Sequence, residues 1–223
     1  MDRAVLDRPP VDAARAILGA TLVRVDAGGR RAGRIVEVEA YAGPEDRASH
    51  ARAGRTERNA VMYGRPGIAY VYLVYGMHDC LNVVTGPADS ASALLIRAVA
   101  PSDGVDMMRA ERLAWLAAHR RKVEPDAIAR EADRLARLPD VRLASGPGLV
   151  AAAFGIDRSD TGTDLFDPRS SLRLEGPFGA VAADAISVGP RIGVAYAGSP
   201  WAERPWRFAI AGDPSVSGSP ATR

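Results

Sequence analysis

The octapeptide Arg34–Tyr41 constrains the fold more than any other stretch of the chain. Its residues alternate, with Val36, Val38 and Ala40 on one face of an extended strand and Glu37, Glu39 and Tyr41 on the other. Taken alone it reads as an ordinary amphipathic strand whose acids face solvent. It runs directly into Gly43-Pro44-Glu45-Asp46, a loop start of the kind where functional groups concentrate. A second alternating run follows at Ala69–Val74, with Tyr70, Tyr72 and Val74 on one face and Val71, Leu73 and Tyr75 on the other. Its tyrosines fit a core layer with polar tips. Tyr75 stands apart, because it precedes Gly76 at a turn, where a large ring is poorly covered unless something binds over it.

Around these runs the chain alternates between short strands and helices. Pro10–Ala20 reads as a helix opened by proline and closed at Gly19. Thr21–Val25 and Arg34–Tyr41 read as strands across the turn Asp26–Gly29, and Leu81–Thr85 and Ala93–Ala100 as further strands. Gly43–Gly67 is polar loop carrying Arg47, Arg52, Arg55, Arg58 and Arg65. Val105–Arg121 and Asp126–Leu138 have helical periodicity with charged outer faces, and read as a structural flank. Ser145 reads as the N-cap of a short helix through Pro147 to Phe154, a start that could equally be a plain cap or a phosphate site. From Gly212 the chain is polar, and about 213–223 is expected to be frayed. Strands outnumber helices and short turns join them. The expected class is α+β with a mainly antiparallel sheet, as one domain over residues 1–223.

Composition narrows the setting. The chain has 223 residues, 47% of them apolar, which suits a full core and not a disordered segment. No run of about 18 apolar residues offers a membrane span. The N-terminus carries acids and has no apolar signal-peptide core, and the single Cys80 fits a reducing compartment, so a cytoplasmic protein is expected, nucleoid-associated if bacterial. Net charge is +2; of 29 basic residues only Lys122 is lysine, leaving 28 arginines. Arginine grips phosphate through a planar fork and stacks on bases, so the composition is compatible with nucleic-acid binding without demonstrating it. His50, His78, His119 and Cys80 lack zinc-ligand spacing apart from the poor pair His78 and Cys80, and no metal or cofactor is expected.

Seven runs in order carry a resemblance: Gly33–Asp46 with Ala48–His50 close behind; Arg58–Asn59; Pro66–Gly67; Tyr70–Met77 with Asn82; Leu94–Ala98; Ser145–Pro147; and Arg191–Val194. Together they make the chain similar to the alkyladenine (3-methyladenine) DNA glycosylases, which excise alkylated purines, from about residue 10 to 212. The resemblance implies one domain with a curved antiparallel sheet and flanking helices, acting on double-stranded DNA holding a damaged purine, and a monomer is expected. It makes Glu39 the catalytic base, with Arg97 beside it and the attacking water. It has Tyr41 and Tyr72 sandwich the extruded base, His50 line its pocket, and Asn82 crowd the 2-amino group of guanine. Tyr75 would insert into the duplex gap, with Arg58 and Met62 as further DNA contacts. His78-Asp79 and Ala195-Tyr196 depart from the family pattern, and no role passes to Tyr196.

The chemistry agrees with that reading. A base inside the stack must be extruded, at a few kcal/mol, and aromatic faces can receive it. Cleavage then passes through an oxocarbenium-like sugar, which a carboxylate can stabilise while deprotonating water. Lys122, the only side-chain amine, lies on a helix remote in sequence from the pocket runs, so a water nucleophile without strand cleavage is expected. Two rivals stand beside this: a catalytically weak lesion-binding protein of the same fold, and an unrelated hydrolase using Glu37 and Glu39 as acid and base. Glu37 is given no role.

Overall fold

The axis of the fold is β2 (Gly29–Tyr41), a strand with three neighbours. Its first half forms a hairpin with β1 (Thr21–Asp26) across Ala27 and Gly28. Further along the same edge it pairs with β8 (Arg207–Ile210), and β5 (Ser92–Asp103) lies along its other edge. The structure, a computed structural model, describes residues 2–74, 76–119 and 125–218. Among these the sheet has eight strands, in the order β3 (Ala69–Val74), β4 (His78–Thr85), β5, β2, β1, β6 (Leu172–Glu175), with β8 on β2 and β7 (Ile186–Gly189) on β8. Every pairing is antiparallel. Four α-helices flank it among the described residues: α1 (Pro10–Ile17), α2 (Val105–His119), α3 (Pro125–Arg137) and α4 (Pro147–Phe154). The expected α+β class with a curled, antiparallel sheet is therefore what the chain adopts. No described helix is long and apolar enough to cross a membrane.

One sheet face makes the core. Ile35, Val38 and Ala40 of β2 join Val71, Leu81, Val83, Leu94 and Ile96 against Ile17 of α1 and Val150 and Phe154 of α4. Burying a side chain of the size of Phe154 or Leu81 contributes about 1.5–3 kcal/mol. The alternation expected Val36 in that set, but the register between β2 and β5 slips there and again at Arg97. Each slip leaves one residue extra in its strand, a β-bulge that re-aims side chains. Ile35 takes the core position, and Arg97 is turned toward the acids of β2.

Several boundaries differ from the sequence pattern, and three show why. β2 begins at Gly29 instead of Arg34, because the two-residue hairpin hydrogen-bonds Arg30 to Gly33 against β1 whatever their polarity. Gly33 is required there: a Cβ would lie 2.5 Å from Val99 Cγ1 and 2.6 Å from the Ala100 carbonyl oxygen. β4 begins at His78 instead of Leu81, paired residue by residue with β3. Ser145 does not cap α4. Gly146 holds the cap position, and the Ser145 hydroxyl donates to the Val216 carbonyl at 3.4 Å. The start of α4 is packed closed, since a Cβ at Gly148 would meet the His78 ring at 2.9 Å.

The expectation of a frayed end also fails for residues 213–218. Ser215 and Ser217 are buried, and Asp213 pairs with Arg34 at 2.7 Å. The polar composition of this stretch serves hydrogen bonds to the body of the protein. Tyr75 and Lys122, expected as duplex wedge and as remote lysine, lie outside the described residues.

Candidate active site

The sheet face opposite the core mixes polar groups with a smaller apolar cluster, and cross-strand register builds a site on it. Tyr70 pairs with Asn82, Asn82 with Leu95, Leu95 with Glu39, and Glu39 with Arg207. Directly paired residues of antiparallel strands project to the same side. This row therefore places an aromatic ring, an amide and a carboxylate on one surface, across four strands and β8.

Both acids of β2 are fully buried, which overturns the solvated-face reading of the octapeptide. A covered charge must be compensated, and the two acids solve this differently. Glu37 Oε1 accepts from Arg97 Nε and from Arg207 Nη1, each at 3.1 Å, and Oε2 accepts from the Ser217 backbone N–H at 2.7 Å. It is locked in an ionic network. Glu39 Oε1 accepts from the Ile192 N–H at 2.7 Å and faces Arg97 Nη1 at 3.2 Å, while Oε2 accepts from the Tyr41 hydroxyl at 2.8 Å. Burial raises the Glu39 carboxyl above the usual carboxylate range, against the lowering effects of Arg97, the Ile192 N–H and the Tyr41 hydroxyl. Arg97 spans both acids, and its Nη2 donates to Ser217 Oγ at 3.1 Å.

Tyr41 separates Glu39 from a small pocket, about 40 Å³ in volume, lined by Tyr41, His50, Met62, Tyr72, Asn82 and Tyr196, with Tyr70 and the small residues Ala48 and Ala93 completing it. The His50 and Tyr72 rings meet edge to face, 4.3 Å between centroids, and His50 Nδ1 shares a hydrogen bond with the Tyr70 hydroxyl at 3.0 Å. The Asn82 amide nitrogen donates to the carbonyls of Tyr70 at 3.2 Å and Cys80 at 3.4 Å, which fixes its orientation. The Arg191 guanidinium lies 4.7 Å from the Tyr41 ring centroid. Arg191 itself forms a two-pronged pair with Asp46, at 2.5 and 3.0 Å, and donates to the Ala40 and Trp201 carbonyls at 3.0 and 3.2 Å.

The structure thus brings together six of the expected residues: Glu39, Arg97, Tyr41, His50, Tyr72 and Asn82. Arg58 lies just outside, its guanidinium 5.8 Å from the Tyr72 centroid. Met62, expected as a DNA contact, is 3% exposed and packs with Tyr70 and Ala93 in the pocket wall, because the 3₁₀ turn Ala60–Tyr63 points it inward. Among the described residues the exposed methionine is Met77, between β3 and β4. Sequence reasoning missed Tyr70, Tyr196 and the network around Glu37. Tyr70 was within reach, one alternation step from Tyr72. The partners of Glu37 were not, since Ser217 lies 180 residues away.

Burial, reinforced by Arg58 and Arg52, lowers His50 from 6.5 to about 4, so the ring is neutral at pH 7. Between those two values the unfolded chain binds the proton and the folded chain does not. Stability is therefore expected to fall as pH drops from about 6.5 to about 4. His50→Gln should flatten the dependence of the urea midpoint on pH across that window; equal slopes in the two proteins would show that His50 is not its source.

A buried carboxylate and arginine thus stand behind an aromatic pocket on one face of a curled antiparallel sheet. Comparison with known proteins gives the family. The methylpurine-DNA glycosylase pattern matches residues 4–214. A protein of Anaeromyxobacter dehalogenans (strain 2CP-1) is 44% identical over 208 residues, covering 93% of this chain and 80% of its own length. A Nocardia farcinica protein is 44% identical over 222 residues (97% and 89%), and one from Methanocella arvoryzae is 42% identical over 217 residues (97% and 95%). All three bear the name "Putative 3-methyladenine DNA glycosylase". The chain belongs to the methylpurine-DNA glycosylase family, and so to the DNA glycosylases, hydrolases of DNA repair.

Proposed function

We propose that this protein is a monofunctional glycosylase that extrudes alkylated or deaminated purines from duplex DNA and hydrolyses the N-glycosidic bond with a water activated by Glu39. The observation that carries the reading is the placement of the Glu39 carboxylate directly behind the Tyr41 hydroxyl in the pocket wall, with its other oxygen pinned by the Ile192 N–H and Arg97. The unpinned oxygen, Oε2, faces the hydroxyl of Tyr41, which lines the pocket. Oε2 has two lone pairs, so a water can join the Tyr41 hydroxyl there without displacing it. A carboxyl raised by burial is a stronger base than an exposed one, and once ionised it opposes the positive charge that develops on the sugar.

The other residues fit around this centre. Tyr41 and Tyr72 offer ring faces to the base, which a cationic alkylpurine meets with an added cation–π attraction. The fixed amide of Asn82 crowds a purine 2-amino group, which disfavours normal guanine. Beside the pocket opens a groove lined by Ser49, Arg52, Thr56 and Arg58, suited to backbone phosphates. Glu37 is engaged with two arginines and an amide, which argues against an acid–base pair made of Glu37 and Glu39. The setting is the cytoplasm, on chromosomal DNA.

The test is incubation with duplex oligonucleotides holding hypoxanthine, ethenoadenine or 7-methylguanine at stated salt. Free base should appear while the strand stays intact until alkali is added. Strand cleavage before alkali that disappears in Lys122→Ala would overturn the water-nucleophile mechanism.

A further inference from the structure

Tyr196 is the one large aromatic of the pocket that is mostly exposed, at 62%. An exposed ring of this size costs solvation unless it has a task or a cover. It lines both the base pocket and the neighbouring arginine groove, so it stands on the ridge between them. Its hydroxyl donates to the carbonyl of Ala48, itself a pocket residue, at 2.9 Å. The side chain therefore reaches from the 3₁₀ turn Ala195–Ala197 to Ala48 in the pocket wall, and its exposed ring stands as a bar at the mouth. The Arg52 guanidinium lies 5.2 Å from the ring centroid on the groove side.

The turn beneath the ring is anchored. Val194 and Ala197 are buried in a small cluster with Ala48, against which Tyr41 and Trp201 pack. The backbone is thus held, and opening the mouth falls to rotation of the Tyr196 side chain. That rotation breaks one neutral hydrogen bond and one exposed cation–π contact, each worth about 1 kcal/mol or less. The bar is weak enough to move, yet a substrate that needs it moved loses those contacts and must also find room for the ring.

We propose that Tyr196 is a specificity-determining residue that sets the size of the purine the pocket admits, favouring purines without added bulk over those enlarged by a fused ring. The assignment rests on the base-excision reading above. Ring bulk at the mouth acts on the larger base more than on the smaller, and a difference of one or two carbon atoms in a closed pocket separates substrates by about 10–200-fold.

The experiment is single-turnover release from two duplexes, one holding hypoxanthine and one ethenoadenine, by the native protein, Tyr196→Ala and Tyr196→Phe. The readout is the ratio of the two rates. Tyr196→Ala should raise the ethenoadenine-to-hypoxanthine ratio about tenfold or more. Tyr196→Phe, which keeps the ring and loses the bond to Ala48, should fall between. A ratio in Tyr196→Ala within twofold of native, with both variants folded by thermal melt, overturns the assignment and leaves the excision reading standing. No release from either duplex by the native protein overturns the excision reading, and the role of Tyr196 with it.

Discussion

Glu39→Gln is expected to lower single-turnover base release by about 10²–10⁴-fold, the range a positioned general base contributes. The substitution is close to isosteric. The Gln oxygen can accept from the Ile192 N–H or the Tyr41 hydroxyl, and Arg97 keeps its bond to Glu37. The pocket is untouched, so affinity for lesion duplex should stay within a few-fold of native while the chemical step is lost. That split between binding and rate separates an absent base from a collapsed site. In the native protein, release should also decline as pH falls through the raised pKa of Glu39, because protonation removes the base. Burial is the largest cause of that rise, so the folded state disfavours the ionised carboxylate, and the stability this group costs above its pKa should be relieved in the Gln variant. Release by Glu39→Gln within tenfold of native would remove Glu39 from the mechanism.

The second large effect concerns stability. Asp46 and Arg191 are paired with both side chains fully buried. Deleting one partner of such a pair leaves an uncompensated buried charge and typically costs 3–5 kcal/mol, whereas replacing both can be nearly neutral, so Asp46→Ala is expected to cost about 3–5 kcal/mol. The Asp46 carboxylate also accepts from the Ala42 and Ala48 backbone N–H groups, at 3.2 and 3.0 Å, so the loop entering the pocket loosens with it. Arg191 in turn lies over Tyr41, and base release should fall as well. Urea unfolding of Asp46→Ala, Arg191→Met and the double variant checks this. The double variant should be less destabilised than the sum of the singles. A loss below about 1 kcal/mol in Asp46→Ala would mean that water reaches the pair and the charge is not truly buried.

Much of the scaffold follows from local patterning. The alternations of Arg34–Tyr41 and Ala69–Val74, the helical periodicities and the proline-opened α1 and α4 all agree with the structure to within a few residues. These signals arise within one element, where side-chain direction depends only on the repeat of the backbone. The edges are less legible. Arg30 and Arg31 of β2 and His78 and Asp79 of β4 are held by partner strands, and polarity conceals them.

The site divides along the same line. The run of acids and the tyrosine strand were visible as chemistry, and the family resemblance attached roles to Glu39, Tyr41, His50, Tyr72, Asn82 and Arg97. Sequence could not say that the acids are buried, because an alternating strand covered on one face or on both has the same spelling. That was decided by Arg97 of β5, Arg207 of β8, the backbone at Ile192 and the 213–218 segment closing over the second face. Nor could it distinguish Glu37 from Glu39 by physics: their inequality comes from Arg207 and Ser217 on one side and Ile192 and Tyr41 on the other.

By itself, then, the sequence determined the strand that bears the carboxylates, the aromatic strand beside it, and the mixed class of the fold. These are properties of periods two and 3.6, written into every short window. Tertiary structure alone decided the bulges at Val36 and Arg97, the inward turn of Met62, the Asp46–Arg191 clasp and the bar formed by Tyr196. Each joins residues distant in the chain, and a contact between remote side chains has no local repeat to announce it.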